Sequence, residues 1–522
     1  MPTPSTSSPD LPVLIIGAGI SGLLLAQGLK KHSIPFHIYE KDEALDARPQ
    51  GYRIRLNLVG LHALRDALPK DVNDEVWRTA AKFVPGLGRV DAATGRDLGG
   101  PGLPPPPDLA PPSDPDPPVD ILRSASSKDA SPAVPADIHP DDPLTRLAMT
   151  SRLPVDRSIL RAVLLAPLES HLTLSKRFDH YSITPQGVVA HFSDGTSVTG
   201  ALLVGADGYN SRVTRQLLGP AFDTIKPIDM GPRMIYGKSP LTAALERDLN
   251  TAMRNGIRVA LITDPAIPGP SLLIETCRYT HGPLPSSAAS LSPSPLTMPR
   301  DYVFFTLASR DRFANTLTSD TCSNEAAAQI AERSVAHWDK SVRVVIEHQD
   351  RRQTSVWPMT CAPPNGLPAW KTERRVTILG DAVHPMPPTG GLAGNTAMRS
   401  AAWLVRVLAR DRSGQRYGGE EEDVGMGSGE RKGGRAADVG DDHGGTNSNE
   451  EDGTAGGGWP TSAISAYETR MRDEGGRMVS LAHAAATGEY PLNLWKVLIG
   501  AITGDPMEVI DEYEAKAGVS LV

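Results

Sequence analysis

Three glycines with a fixed spacing follow a short apolar run near the beginning of the chain. Gly17, Gly19 and Gly22 come directly after Val13–Ile16 and open a segment with helical periodicity. This spacing allows a tight turn and a close approach of the backbone to a pyrophosphate, while the helix N-terminus supplies amide donors. Glu40 ends the next apolar run, 18 residues after Gly22, where a carboxylate accepts hydrogen bonds from ribose hydroxyls. The pattern predicts a site for an adenine dinucleotide with a free ribose, a description that fits both FAD and NAD.

Two later turns place a carboxylate next to a glycine after a buried strand. Asp207-Gly208 follows one apolar run, and Gly380-Asp381 follows another, ahead of the proline- and glycine-rich segment Pro388–Gly394. A carboxylate at such a turn, beside a helix N-terminus, suits a ribityl chain and a second contact with the pyrophosphate. Two such turns are more than NAD needs, so the sequence favours FAD.

Taken together, the three turns resemble those of the FAD-dependent monooxygenases of the aromatic-hydroxylase type, the single-component class related to para-hydroxybenzoate and salicylate hydroxylases. The resemblance implies that the first turn binds the ADP half of FAD, that the Asp-Gly turn serves FAD and the passing NAD(P)H, and that the Gly-Asp turn contacts the ribityl chain. Gly51–Asn57 resembles the family's stretch beside the isoalloxazine, and Val155–Leu160 resembles a helix start whose arginine meets the flavin. The FAD ligands implied in this way are Gly17, Gly19, Gly22, Glu40, Lys41, Gly51, Arg53, Arg157, Asp207, Gly208, Gly380, Asp381, Pro388, Gly391, Gly394 and Asn395.

The chain also departs from the family pattern at two positions. Thr214 follows Val213 where the family usually has arginine, and Ser400 stands where many members have aspartate. Near the C-terminus, Ala466–Met471 resembles a family helix that we interpret as structural. Outside the resemblance, Arg157 is equally well interpreted as an arginine on a helix surface.

No catalytic residue is assigned by the sequence. Aromatic hydroxylases often bind a phenolate through an arginine in the strands after the Asp-Gly turn, and this chain has Arg233, Tyr236 and Lys238 in that region. Each is a candidate for that role, and each also suits a strand residue with a structural partner. The chain lacks an HExxH motif and paired metal-ligand spacings, so no metal is predicted.

The resemblance implies an enzyme that uses NAD(P)H and O2 to hydroxylate or epoxidise a mid-sized organic substrate, aromatic or secondary-metabolite-like, through a flavin C4a-hydroperoxide. The cofactor supplies the difficult chemistry in such an enzyme, and the protein holds the flavin, excludes water and places the substrate. A flavoprotein oxidase or dehydrogenase without oxygen transfer is the first alternative. A non-catalytic dinucleotide-binding module is the second.

The elements that must position these turns alternate between strand and helix at the beginning of the chain. Val13–Ile16, Ser21–Lys31 and Phe36–Glu40 predict a βαβ unit, and Asp194-Gly195 between two strand-like runs predicts a hairpin. The strand-like runs that follow predict an antiparallel sheet, and they are Arg233–Tyr236, Arg258–Ile262, Leu272–Thr276, Tyr302–Leu307 and Val342–His348. The predicted fold class is therefore α/β (α+β): a Rossmann-like FAD-binding βαβ domain built from non-contiguous segments, with an inserted antiparallel-sheet substrate domain and C-terminal helices.

Composition divides the chain into predicted segments. Residues 101–147 are a proline-rich insertion with fourteen prolines by residue 143, and residues 411–460 are a glycine-rich acidic loop with fifteen glycines, both predicted to be disordered. The remaining segments are 1–100, 148–225 and 359–410 for the FAD-binding domain, 226–358 for the substrate domain and 461–522 for the C-terminal helices.

Charge and cysteine content restrict the partners and the location. The 522 residues carry a formal net charge of −8, and residues 411–460 alone contribute −7, so no basic field for nucleic acid is expected. The uncharged run Leu11–Leu29 contains four glycines and one proline, which suits a strand, turn and helix better than a membrane span. Three scattered cysteines and a first ten residues without Lys or Arg lead us to expect a cytoplasmic protein.

Overall fold

The computed structural model describes residues 11–44, 52–82, 84, 87–99, 151–166, 168–261, 270–279, 298–309, 317–318, 321–412 and 459–487. The predicted disordered tracts 101–147 and 411–460, apart from the residues at their edges, and the C-terminal part of 461–522 lie outside these ranges, as does Gly51.

The described residues form seventeen strands and ten α-helices. The strands are β1 Val13–Ile16, β2 Phe36–Tyr39, β3 Arg53–Asn57, β4 Leu87–Asp91, β5 Asp97–Gly99, β6 Ser151–Asp156, β7 Leu172–Thr173, β8 Phe178–Ile183, β9 Val188–Phe192, β10 Ser197–Gly200, β11 Leu202–Gly205, β12 Ile228–Pro240, β13 Ile257–Leu261, β14 Ser271–Cys277, β15 Tyr302–Ser309, β16 Ser355–Cys361 and β17 Val376–Ile378. The helices are α1 Ile20–Lys31, α2 Leu58–Ala67, α3 Lys70–Arg78, α4 Arg157–Leu165, α5 Arg212–Leu218, α6 Ala243–Asp248, α7 Asn324–Val335, α8 Lys340–Glu347, α9 Ala393–Arg412 and α10 Thr461–Thr487.

A five-stranded parallel sheet is the part that carries the three predicted turns. Its order is β17-β11-β1-β2-β7, and its pairs β17–β11, β11–β1, β1–β2 and β2–β7 are all parallel. Strands β1 and β11 are wholly buried, as expected for a parallel sheet covered on both faces. The predicted βαβ unit and the hairpin at Asp194-Gly195 are confirmed, the latter with Gly195 at φ +81° between β9 and β10.

Helix α1 packs closely against α9 on one side of this sheet. A Cβ on Gly28 would lie only 2.3 Å from a methyl carbon of Val405, so the two backbones approach as closely as a glycine allows. All four leucines of α1, which are Leu23, Leu24, Leu25 and Leu29, are fully buried. This packing fixes the direction of α1 relative to the turn that precedes it.

The second large layer is a seven-stranded sheet in the order β16-β12-β15-β14-β13-β4-β5. All its neighbouring pairs are antiparallel except β13 with β4, so the predicted antiparallel sheet is confirmed. Strands β4 and β5 belong to this sheet, although the predicted boundaries place residues 1–100 in the FAD-binding domain. Local sequence patterns carry no signal for this pairing, because Leu87 of β4 pairs with Ile257 of β13, far away along the chain.

One predicted strand is wrong. Val342–Glu347 lies in helix α8 and His348 is its C-cap. The helix begins after Asp339, whose carboxylate accepts a hydrogen bond from Ser341 N at 2.9 Å. Val342, Val345 and Ile346 are buried on one helical face. Their β-branched side chains suggested a strand, but the N-cap and the i, i+3, i+4 spacing favour a helix.

Helix α10 contacts β17, the strand before the Gly-Asp turn. Tyr467 Oη donates to the Ile378 carbonyl at 3.1 Å, and Glu468 accepts from Thr377 Oγ1 at 3.0 Å, so the structural role predicted for this helix fits its contacts. Within the ranges that the structure describes, no helix combines the length and the apolar character that crossing a bilayer requires.

Candidate cofactor and substrate site

The three predicted turns meet at the carboxyl ends of neighbouring strands. Because β17, β11 and β1 lie side by side, the turns that follow them are adjacent. Gly17 has φ +111°, and a Cβ there would lie 2.4 Å from the Ala206 carbonyl oxygen, just before Asp207. A Cβ on Gly380 would lie 2.8 Å from Ser21 Oγ. The first turn therefore touches both of the others, and Gly17 is required there because its backbone lies against that of Ala206.

The beginning of α1 fits a phosphate group. Gly19 is the N-cap, no side chain among the described residues caps the helix, and its first turn holds no acidic residue. A Cβ on Gly19 would meet no described atom within 4 Å, whereas one on Gly22 would lie 2.2 Å from the Gly17 carbonyl oxygen. Uncapped amides beside open space, at the positive end of a helix dipole, suit an anion.

Glu40 lies where the sequence predicted a ribose contact. Its side chain is buried and its Oε2 accepts from the Ala18 amide at 2.8 Å, so the carboxylate is held against the glycine-rich turn. Lys41, the next residue, is exposed.

Arg161 is a residue of this site that the sequence reasoning missed. Its Nε donates to the Ala18 carbonyl at 2.8 Å, and its Nη2 lies 3.5 Å from Glu40 Oε2. It stands one turn after Arg157 on α4 and therefore on the same helix face. That spacing was a signal from which it could have been found.

The Asp-Gly turn is tied into the helix that follows it. Asp207 accepts hydrogen bonds from Ser211 Oγ and from the Arg212 amide, the latter at 2.8 Å. Burial raises the pKa of this carboxyl, although these hydrogen bonds act in the opposite direction. Thr214, which replaces the usual arginine, is fully buried and donates to the Ala382 carbonyl at 2.7 Å. It thus links the Asp-Gly turn to the Gly-Asp turn.

The Gly-Asp turn faces the beginning of α4. Desolvation by the surrounding protein raises the pKa of Asp381, and the positive charge of Arg157 partly offsets this increase. His384 is fully buried, with Nε2 2.9 Å from Ser400 Oγ, and burial lowers its pKa to about 4. Ser400 is therefore a partner of a neutral histidine at the position where relatives often have aspartate.

The segment after the Gly-Asp turn is joined to β3 by one buried side chain. Asn395 Nδ2 donates to the carbonyls of Arg55 and Gly391 at 2.9 and 2.7 Å, and Asn395 Oδ1 accepts from the Asn57 amide at 3.0 Å. Gly391 has φ +67°, and a Cβ on it would meet no described atom within 4 Å. A Cβ on Gly394 would meet Ile54 at 3.7 Å. Asn395 therefore positions the turn through backbone contacts, beside open space where a ring system could lie.

A buried polar cluster joins β3 to the seven-stranded sheet. Glu275 pairs with both Arg53 and Arg55, and Arg55 Nε donates to it at 3.0 Å. Burial alone would raise the pKa of Glu275, but the charges of the two arginines hold it below its ordinary value. The Arg53 guanidinium also lies 4.9 Å above the Phe304 ring.

The three candidates for substrate binding are divided between the two faces of β12. Arg233 pairs with Asp229 at 2.8 Å and donates to the Leu317 carbonyl, on the face that packs against helices. Tyr236 and Lys238 lie on the opposite face. The Tyr236 ring is 5.6 Å from Tyr52, and Lys238 pairs with Asp156. The structure therefore brings Tyr236 and Lys238, but not Arg233, towards the three turns.

Metal binding finds no support in the described part of the chain, where no three His, Cys, Asp or Glu side chains come together as a ligand set. The residues present instead fit FAD, because uncapped amides, open glycines and a buried carboxylate meet at one sheet edge.

The fold and the site together define an FAD-binding protein with a dinucleotide-binding fold. Residues 303–419 match the family model described as FAD binding domain. The chain is 31% identical over 419 residues to the dual O-methyltransferase/FAD-dependent monooxygenase elcB of Phaeosphaeria nodorum, covering 76% of this chain and 40% of that protein. It is 32% identical over 422 residues to the dual O-methyltransferase/FAD-dependent monooxygenase CTB3 of Cercospora beticola, covering 77% and 43%. The chain thus spans about two fifths of the length of these relatives.

The fold is also similar to that of a solved structure, Klebsiella pneumoniae HpxO complexed with FAD and uric acid. The TM-score is 0.57 at 17% identity, over 97% of this chain and 96% of that one. The resemblance to the FAD-dependent monooxygenases that was predicted from the motifs is confirmed by the FAD binding domain match and by the names of these relatives.

Proposed function

We propose that this chain uses NAD(P)H and O2 to hydroxylate or epoxidise a mid-sized organic molecule, aromatic or secondary-metabolite-like. One observation carries the proposal: the three turns that suit an FAD lie in contact at one edge of the parallel sheet. In a hydroxylation, NAD(P)H, a proton, O2 and a C–H bond give NAD(P)+, water and a C–OH group. FAD, when bound, supplies the electron transfer and the activation of oxygen.

The chain's own residues would hold and enclose the cofactor. We assign the α1 amides to the pyrophosphate, Glu40 to the ribose and Asp381 to the ribityl chain, with Arg157 beside it. The other proposed ligands are Gly17, Gly19, Gly22, Lys41, Gly51, Arg53, Asp207, Gly208, Gly380, Pro388, Gly391, Gly394 and Asn395. The boundaries of the FAD-binding and substrate domains and a cytoplasmic location also belong to the proposal.

The aromatic side chains near β3 support an aromatic substrate. Tyr52, Tyr236 and Phe304 lie together, with ring centroids of neighbouring pairs 5.6 and 6.0 Å apart. The relatives elcB and CTB3 bear names that combine a monooxygenase with an O-methyltransferase. Because methyl transfer to oxygen needs a hydroxyl group, we infer a substrate that carries, or gains, a hydroxyl suited to methylation.

Isotopically labelled O2 tests this function. The purified chain is loaded with FAD and mixed with NADPH or NADH and a panel of phenols and aromatic polyketides. We expect substrate-stimulated oxidation of the nicotinamide and labelled oxygen in the organic product. Hydrogen peroxide as the only oxygen product would indicate an oxidase. A chain that binds no FAD would contradict the proposed function and favour the non-catalytic dinucleotide-binding module.

A further inference from the structure

Asp156 connects the seven-stranded sheet to the beginning of α4. Its Oδ1 accepts hydrogen bonds from the Ser158 amide at 2.9 Å and the Ile159 amide at 3.4 Å, so it is the N-cap of the helix. Its Oδ2 accepts from Lys238 Nζ of β12 and, at 3.1 Å, from Tyr302 Oη of β15. One buried carboxylate thus meets two strands of the sheet and one helix.

Helix α4 reaches two of the FAD turns from that N-cap. Arg157, its first residue, lies with its guanidinium carbon 5.5 Å from the centroid of the Tyr52 ring, and its positive charge lowers the pKa of Asp381 in the Gly-Asp turn in part. Arg161, one turn later on the same face, contacts the Ala18 carbonyl and Glu40 at the glycine-rich turn. The direction of α4 therefore sets two arginines at separate parts of the proposed cofactor site.

We propose that Lys238 and Asp156 are positioning residues that hold α4, and with it Arg157 and Arg161, in place for FAD. The inference rests on the proposed function only in taking FAD as the occupant of the three turns. Lys238 acts on α4 through its ion pair with Asp156 and is not assigned a contact with a reacting atom.

The reason lies in the pairing of charges away from water. A buried carboxylate that loses its cation is strongly disfavoured and turns to another positive group or to solvent. Without Lys238, Arg157 is the cation next to Asp156 in the chain. An Asp156–Arg157 contact would draw the Arg157 guanidinium away from its position over the Tyr52 ring and disturb the end of α4 that faces the proposed cofactor site.

Strand β12 supplies a matched control. Arg233 is a buried cation on the same strand, but it lies on the opposite face. It pairs with Asp229, which belongs to none of the three turns. Lys238→Met and Arg233→Met each remove one buried positive charge from β12. Only the first removes the partner of Asp156.

The test measures the dissociation constant of FAD by titrating each apoprotein, with circular dichroism to establish that it is folded. We expect Lys238→Met to raise this constant at least tenfold and Arg233→Met to change it less than threefold. Adding Asp156→Asn to Lys238→Met should return the constant to within threefold of wild type, because asparagine still caps the helix and carries no charge to attract Arg157.

The proposal is overturned if Lys238→Met and Arg233→Met bind FAD equally well, or if the double variant keeps the full loss. Should Lys238→Met not fold, Tyr302→Phe removes only a hydroxyl donated to Asp156, and we expect about a threefold weaker binding. An unchanged constant would then overturn the proposal. A wild-type apoprotein that binds FAD but transfers no oxygen contradicts the proposed function and leaves this test intact.

Discussion

Gly17 and Gly19 stand two residues apart in one turn, yet a methyl group would meet different surroundings at each. At Gly17 it would be held at φ +111° and lie 2.4 Å from a carbonyl oxygen, while at Gly19 it would meet no described atom within 4 Å. We expect Gly17→Ala to lower the free energy of unfolding of the apoprotein by at least about 2 kcal/mol, through backbone strain and steric overlap with the Ala206 carbonyl. We expect Gly19→Ala to leave that stability within about 0.5 kcal/mol and to weaken FAD binding at least tenfold.

Urea unfolding of both apoproteins, together with FAD titration, separates the two effects. Gly195→Ala, in the exposed hairpin with φ +81°, controls for backbone strain without a nearby cofactor. If Gly19→Ala bound FAD as well as wild type, the phosphate would not approach this turn as we propose.

His384 introduces a pH dependence into stability. Burial lowers its folded pKa to about 4 from 6.5, so the unfolded chain takes up the proton first as the pH falls. Stability is therefore lost progressively below the unfolded pKa and down to the folded one, by about 2 kcal/mol at pH 5. Glutamine keeps a hydrogen-bonding group for Ser400 and does not titrate.

Unfolding free energies at pH 7 and pH 5 check this expectation. The difference between the two pH values should shrink by about 2 kcal/mol in His384→Gln. The exposed His180 provides the comparison, because His180→Gln removes an imidazole outside the core. Equal pH dependence in all three proteins would contradict the role of the buried imidazole.

Helix α8 shows how a capping residue decides between two structures for one sequence. Val342, Val345 and Ile346 suit a strand or a buried helix face, and Asp339 begins the helix. We expect Asp339→Ala to lower the free energy of unfolding by about 1 kcal/mol and Asp339→Asn by less than half of that. Urea denaturation of the two variants measures the difference, and equal losses would show that the cap hydrogen bond is not the source.

The difference between contacts within a short stretch of chain and contacts across many residues explains what the sequence could predict. The strand, turn and helix around Gly17 depend on neighbours in the chain, so their residue types indicated both the elements and the ligand. The pairing of Lys238 with Asp156 spans 82 residues, and no spacing rule reports such a contact. Arg161 lay between these cases, because its position one turn after Arg157 was visible, but its partners Ala18, after β1, and Glu40, after β2, were not.

At the scale of the whole molecule, Glu275 joins the strand beside the proposed flavin site to the seven-stranded sheet. Its carboxylate is buried between Arg53 and Arg55, across 220 residues from the latter. Glu275→Gln removes the buried negative charge that both guanidinium groups share, so we expect a loss of about 3 to 5 kcal/mol in unfolding free energy. Glu347→Gln, which breaks an exposed ion pair with Arg343, should lower the free energy of unfolding by less than about 1 kcal/mol.

The Glu275 carboxylate also makes stability depend on pH. Because the folded pKa of Glu275 is lowered, its contribution to stability should disappear as the pH falls below the ordinary range for a carboxyl group. Urea unfolding of both variants at neutral and acidic pH measures each effect, and similar losses in the two variants would show that the buried pair does not hold the layers together.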